Sequence, residues 1–228
     1  MSPRLVVFDW DGTLTDSLEP ITAGIRVAIE RAGLPPRSDE AIREIIGLGV
    51  AAGIARLYPQ APGEARVALA NVQADPAVRA HTEQPAPLFA GARELVEALA
   101  GQGTLLAIAT GKGRDALQRD LVAAGLADRF AAVRTADDGP GKPAPAPLLA
   151  LLEETGTWPG EAVVVGDTLY DLQMAQAAGV EGIGVTWGVH PAERLHTGGP
   201  RAVVERLEDL SDLLTGRGGA SGWESGSR

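Results

Sequence analysis

Two acids, Asp9 and Asp11, follow directly on the apolar run Leu5-Val6-Val7-Phe8. Val and Phe at that spacing read as a buried strand. A core strand does not tolerate two carboxylates at its end unless something offsets their repulsion and desolvation. Alternation sends both side chains in the same general direction at the carboxyl end of the strand, where open α/β sheets bind ligands. A divalent cation is the simplest offset, and oxygen-rich sites suit Mg²⁺. The bland alternative is a polar strand cap with Asp11-Gly12 as a turn dipeptide.

Three more strand ends carry polar groups. Thr110-Gly111 closes a second apolar run, Gly141-Lys142-Pro143 follows a third, and Gly166-Asp167-Thr168-Leu169-Tyr170-Asp171 a fourth. In a parallel sheet these ends converge on one edge. Together they supply a carboxylate nucleophile, a second acid, a hydroxyl with neighbouring N–H groups, a cation and further metal-binding oxygens. That inventory fits phosphoryl transfer, where positioning and charge neutralisation do most of the catalysis. Each piece also has a purely structural use. Thr110 can be a helix N-cap, Lys142 can be a solvated loop cation, and Thr168-x-x-Asp171 matches a capping box.

Rival motifs fail. Neither Gly111-Lys112 nor Gly141-Lys142 has the flanking residues of a phosphate loop. Asp9-x-Asp11-Gly12 starts like a calcium loop, but its glycine comes too early and Pro20 stands where the closing Glu belongs. His81, His190 and His196 have no metal-ligand spacing.

The elements that must position these groups read as alternating strands and helices from about Gly91. Strands are expected at Thr104–Ala109, Ala131–Arg134, Glu161–Val165 and Gly182–Val185. Helices are expected at Ala92–Ala100, Asp115–Ala124, Ala146–Thr155, Tyr170–Ala178 and Leu207–Leu214. The expected fold is α/β, a doubly wound, Rossmann-like parallel sheet with right-handed crossovers. Residues 18–87 differ, with helical periodicity in Ile21–Ala32, Asp39–Ile46 and Glu64–Ala74 and no convincing strand. They read as an inserted helical cap domain between core segments 1–17 and 88–215, with Gln84-Pro85-Ala86-Pro87 as the return linker. Residues 216–228 have a flexible-tail composition.

The 228 residues, 45% hydrophobic, suffice for one core carrying a smaller insert. A formal charge of −10 argues against nucleic acid or an anionic membrane as partner. The absence of cysteine excludes disulfides and thiolate metal sites, and no apolar run reaches membrane-spanning length. A cytoplasmic location is the expectation, and no pattern sets an oligomeric state.

In this order, Asp9-x-Asp11-Gly12-Thr13, Thr110-Gly111, Lys142-Pro143 and Gly166-Asp167-x-x-x-Asp171 resemble the haloacid dehalogenase-like hydrolase superfamily. The likeness is greatest to its phosphoglycolate phosphatase branch, extends to about Thr215, and includes Trp187-Gly188-Val189-His190. The resemblance implies a phosphatase acting on a small phosphorylated metabolite. Asp9 would be the nucleophile that forms an aspartyl-phosphate, and Asp11 the general acid and base. Mg²⁺ would be held by the Asp9 carboxylate, the Asp11 carbonyl and Asp167, with Asp171 in support. Thr110 and Lys142 would serve catalysis at the phosphoryl group. Trp10, Gly111 and the cap loop Gly47-Leu48-Gly49 would be substrate-binding. Dehalogenases of the superfamily lack the second carboxylate, so Asp11 favours a phosphatase. A phosphomutase uses the same groups, and a non-catalytic binding module is the remaining alternative.

Overall fold

The computed structural model describes residues 2–75, 78 and 85–216. Most of the tail expected after Thr215, Gln84 of the return linker, and His81 lie outside the described residues. Six parallel strands form one sheet: β1 Leu5–Phe8, β2 Leu105–Ala109, β3 Ala132–Arg134, β4 Ala162–Gly166, β5 Glu181–Val185 and β6 Ala202–Val204. Their order is β3-β2-β1-β4-β5-β6. Phe8 is in register with Ile108 on one side and Val165 on the other, so three strand ends finish level.

β1 and β4 are buried along their whole length, as the central strands of a sheet covered on both faces must be. Alternation divides the core. Val6 and Phe8 point into one layer with Leu95 and Leu99 of α5 (Ala92–Gly101), and with Leu117 and Leu121 of α6 (Arg114–Ala123). Leu210 and Leu214 of α10 (Leu207–Thr215) complete that layer. Leu5 and Val7 point the other way, toward Leu148 and Leu151 of α7 (Ala146–Thr155) and Met174 of α8 (Leu169–Ala177). Each such side chain, fully buried, contributes about 1.5–3 kcal/mol of transfer free energy.

The insertion carries α1 Leu18–Arg31, α2 Asp39–Arg43, α3 Val50–Leu57 and α4 Gly63–Ala74. These helices share their own apolar cluster, built on Ile25, Ile29, Ile42, Ile54, Leu57 and Leu69. The chain leaves and rejoins the sheet side by side. Asp16 N–H donates to the Pro87 carbonyl (2.9 Å), and Phe89 N–H to that of Leu14 (3.0 Å). No helix among the described residues is long and apolar enough to cross a membrane.

Several elements differ from the periodicity reading. α1 starts three residues earlier than expected, because Pro20 falls in the first turn, where backbone N–H groups have no intrahelical partner. α2 stops at Arg43 rather than Ile46, and the chain then turns toward Gly47, whose φ is 92°. Three short elements had no matching expectation: α3, with Gly53 in its interior, the five-residue α9 Ala192–His196, and the three-residue β6.

Candidate active site

β1 continues past Phe8 by one sheet hydrogen bond, Asp9 N–H to the Val165 carbonyl at 2.9 Å. That bond sets the Asp9 side chain beside the end of β4, whose next residue is Asp167. Among the described residues, one group of acids could share a metal ion: Asp9, Asp167 and Asp171, each offering an oxygen within 4.8 Å of the others. All three are buried.

Their remaining partners define the geometry. Lys142 Nζ lies 2.7 Å from Asp9 Oδ1 and 2.6 Å from Asp171 Oδ1. Asp171 Oδ2 accepts from the Thr168 N–H (3.1 Å) and hydroxyl (2.6 Å), completing a capping box at the start of α8. The two uses of Asp171 that the sequence left open therefore coexist, one on each oxygen. Lys142 is 4% exposed, a buried ion-pair partner rather than a solvated cation. Asp167 Oδ1 accepts from the Thr13 hydroxyl, and Oδ2 from the Val189 N–H, both at 2.8 Å. Asp9 Oδ2 has no hydrogen-bond partner.

One ammonium stands among three buried carboxylates. Without a further cation the group relieves itself by holding protons. Burial, with repulsion from Asp171, pushes Asp167 up to about 7. Burial likewise holds Asp9 well above the usual carboxylate range, with Lys142 opposing. For Lys142 burial works against the charge, but Asp171 and Asp9 outweigh it and hold the ammonium protonated. The partnerless Asp9 oxygen and the excess of buried acid both fit a divalent cation, which would take the place of those protons.

Gly12 makes the close approach of Asp167 feasible. Its φ is 84°, and a Cβ there would lie 2.5 Å from Asp167 Oδ2. The turn it forms is closed by the Gly12 N–H donating to the Thr15 carbonyl at 3.0 Å.

Asp11 does not join the three acids. Each carboxylate of the first motif has its own lysine, Lys142 beside Asp9 and Lys112 beside Asp11. Lys112 Nζ lies 2.8 Å from Asp11 Oδ1 and 3.1 Å from Asp120 Oδ2. Burial disfavours the Lys112 charge, but the two carboxylates more than compensate and raise its pKa. Asp120 in turn accepts from the Trp10 indole N–H at 2.9 Å. The Trp10 side chain is fully buried in the core, edge-on to Phe130, with its indole N–H committed to Asp120.

Thr110 is not the N-cap of α6, a position taken by Gly113. Its hydroxyl accepts from the Lys112 N–H at 3.2 Å and, with Asp11 and Gly111, it lines a cavity of about 520 Å³. Gly47, Leu48 and Gly49 line the same cavity from the insertion. The fit is tight: a Cβ on Gly111 would lie 2.7 Å from the Gly47 carbonyl oxygen. A clamp lies close by. The Tyr170 hydroxyl donates to the Glu44 carbonyl (2.7 Å), and Arg194 pairs with the Glu44 carboxylate.

Thr13, Lys112, Asp120 and Val189 were not assigned roles from the sequence. Lys112 had a signal, a cation directly beyond Thr110-Gly111. Asp120 had none, since a lone acid on a helix reads as surface.

The sequence pattern of the haloacid dehalogenase-like hydrolases matches residues 6–185. The chain belongs to this family. It is 34% identical to "Probable phosphatase IndB" of Dickeya dadantii over 90% of this chain and 91% of that protein. It is 31% identical to a phosphoglycolate phosphatase of Pectobacterium atrosepticum, over 92% of each. A hydrolase from Pseudomonas syringae superposes with a TM-score of 0.83 at 28% identity, covering 93% of this chain and 97% of that one. Within the haloacid dehalogenase-like hydrolases the chain sides with the phosphoglycolate phosphatase-like branch, and it is an enzyme of the phosphatase class.

Proposed function

We propose that this phosphatase is a Mg²⁺-dependent phosphomonoesterase that acts on a small phosphorylated metabolite through an aspartyl-phosphate. The observation that carries the reading is Asp9: buried at a strand end, beside Lys142 and two further acids, with one oxygen unpartnered. In the first step an Asp9 oxygen bonds to phosphorus, the ester P–O bond breaks, and Asp11 gives its proton to the leaving oxygen. In the second, Asp11 takes a proton from water, the resulting hydroxide attacks phosphorus, and the bond to Asp9 breaks to release inorganic phosphate. Thr110 and the Gly111 N–H bind the phosphoryl oxygens, and Lys142 offsets charge between Asp9 and the phosphate.

Mg²⁺ would be held by Asp9, the Asp11 carbonyl and Asp167, with Asp171 fixing its surroundings, and it would neutralise charge on the phosphoryl group. Residues 1–17 and 88–215 form the catalytic core in this reading, and 18–87 a cap. The paired chain segments at Asp16 and Pro87 are its hinge, and its closure excludes water before the ester is in place. A cytoplasmic location goes with a metabolite substrate.

The test is phosphate release from a panel of phosphometabolites with Mg²⁺, with and without chelator. Wild type turns over repeatedly and chelator stops it. Asp9→Asn abolishes turnover while the thermal melt stays cooperative. Phosphate release retained by that variant excludes the covalent route, and products that keep their phosphate identify a mutase.

A further inference from the structure

We infer, on the basis of the phosphomonoesterase reading above, that the substrate's leaving group is bulky and apolar rather than a second anionic group. The cavity of about 520 Å³ is lined by Asp11, which faces the leaving oxygen in that reading, but not by Asp9, Asp167 or Asp171. Thr110 and Gly111, which bind the phosphoryl oxygens in that reading, mark its inner end, and the remainder of the cavity holds what lies beyond the phosphoryl group. Its size falls within the range of about 300–1,000 Å³ typical of small-molecule sites, and a two-carbon group would leave much of it to water.

The walls favour hydrocarbon. Ile21 and Ile25 of α1, Ile45, Ile46 and Leu48 of the turn that follows α2, and Val50 of α3 supply the insertion side. Among the described residues that line the cavity, the only cations are Lys112 and Arg114. Both are committed: Lys112 lies between Asp11 and Asp120, and Arg114 is paired with Asp138. Asp115 and Asp137 line the cavity as well, so carboxylates there outnumber cations. A carboxylate on the leaving group would lose hydration against isoleucine and meet more like charge than opposite charge. An alkyl or aryl group instead gains from every methylene it buries.

Ethyl, propyl, butyl and hexyl phosphate, with phosphoglycolate as the anionic counterpart of the propyl ester, give the test. With Mg²⁺ present, kcat/KM is expected to rise along the alkyl series by about fourfold per buried methylene, at 0.8 kcal/mol each. Phosphoglycolate should fall at least tenfold below propyl phosphate. Leu48→Arg, on a partly buried turn, should move the phosphoglycolate-to-propyl ratio tenfold or more the other way. Melting-temperature shifts of Asp9→Asn with the same esters should follow the wild-type order, without any turnover. A flat alkyl series, or phosphoglycolate ahead of propyl phosphate, overturns the inference and leaves the phosphatase reading standing. Failure to release phosphate from any ester overturns both.

Discussion

Lys112 Nζ bonds Asp11 Oδ1 at 2.8 Å while lying 3.1 Å from Asp120 Oδ2, so the proposed acid and base is tethered through a lysine to the sheet's helical layer. Trp10, adjacent to Asp11 in the chain, closes the loop by donating to Asp120. The first motif is thereby held at two adjacent side chains, the Trp10 indole and the Asp11 carboxylate.

Lys112→Met should remove that tether and leave two buried carboxylates without their cation. Breaking a buried ion pair on one side costs about 3–5 kcal/mol, and misplacing an acid–base group costs about 10²-fold or more in rate. The expected outcome is a lower melting temperature together with a fall in kcat that exceeds any change in KM. Lys112→Arg should recover most of the stability. Unchanged kcat in Lys112→Met would show that Asp11 finds its place unaided.

The pH response of the metal-free protein follows from Asp167. Its carboxyl sits at about 7 when folded, pushed up first by burial and then by Asp171, against about 3.9 in an unfolded chain. Between those values the folded state holds a proton that the unfolded state has lost. The contribution of Asp167 to stability is therefore full below about pH 4 and is lost as pH rises toward 7. Mg²⁺ competes with that proton, so its apparent affinity should rise up to tenfold per pH unit below 7 and level off above. Melts in chelator and in Mg²⁺ at pH 5 and pH 8 check both signs. The Mg²⁺-induced shift in melting temperature must be the larger at pH 8. Asp167→Asn should lose the Mg²⁺ shift and be more stable than chelated wild type at pH 8.

The clamp between insertion and core gives a third expectation. Glu44 joins them twice, through its carbonyl to Tyr170 and through its carboxylate to Arg194, whose side chain is about 29% exposed. Partial exposure screens the ion pair to about 1 kcal/mol, or roughly fivefold in an equilibrium between closed and open arrangements. Glu44→Gln should lower kcat/KM by about that factor and leave the melt of the sheet domain almost unchanged. Limited proteolysis within 18–87, compared between variant and wild type, reads the population directly.

The sheet and its acids were legible in the sequence because both are repeated, local signals. Buried runs such as Leu5–Phe8 and Ala162–Gly166 end in carboxylates that an apolar strand cannot explain. What stayed hidden depends on contacts between segments far apart in the chain. Asp120 is one acid on a helix until folding brings Lys112 and Trp10 to it. Val189 donates a backbone N–H to Asp167, a contact that carries no side-chain signature. Trp10 continues β1's alternation after Val6 and Phe8, which turns its ring into the same core layer. The short elements β6 and α9 offer too few residues for a period to show.

Gly12 supplies the sharpest single-atom prediction. Its φ of 84° already disfavours any side chain, by about 1–2 kcal/mol, and a Cβ would stand 2.5 Å from Asp167 Oδ2. Asp167 cannot step aside cheaply, since Thr13 and Val189 hold its two oxygens. Gly12→Ala should therefore displace the carboxylate, weakening Mg²⁺ binding by at least about tenfold, in line with other disturbances around metal ligands. The stability cost should be about 2 kcal/mol or more, visible as a lower melting temperature in chelator and a smaller recovery when Mg²⁺ is added. Gly33→Ala is the control, because Gly33 has a similar φ of 65° with nothing within 4 Å of its Cβ position. If both variants lose the same stability and both keep full Mg²⁺ affinity, the backbone alone accounts for Gly12 and its closeness to Asp167 has no role.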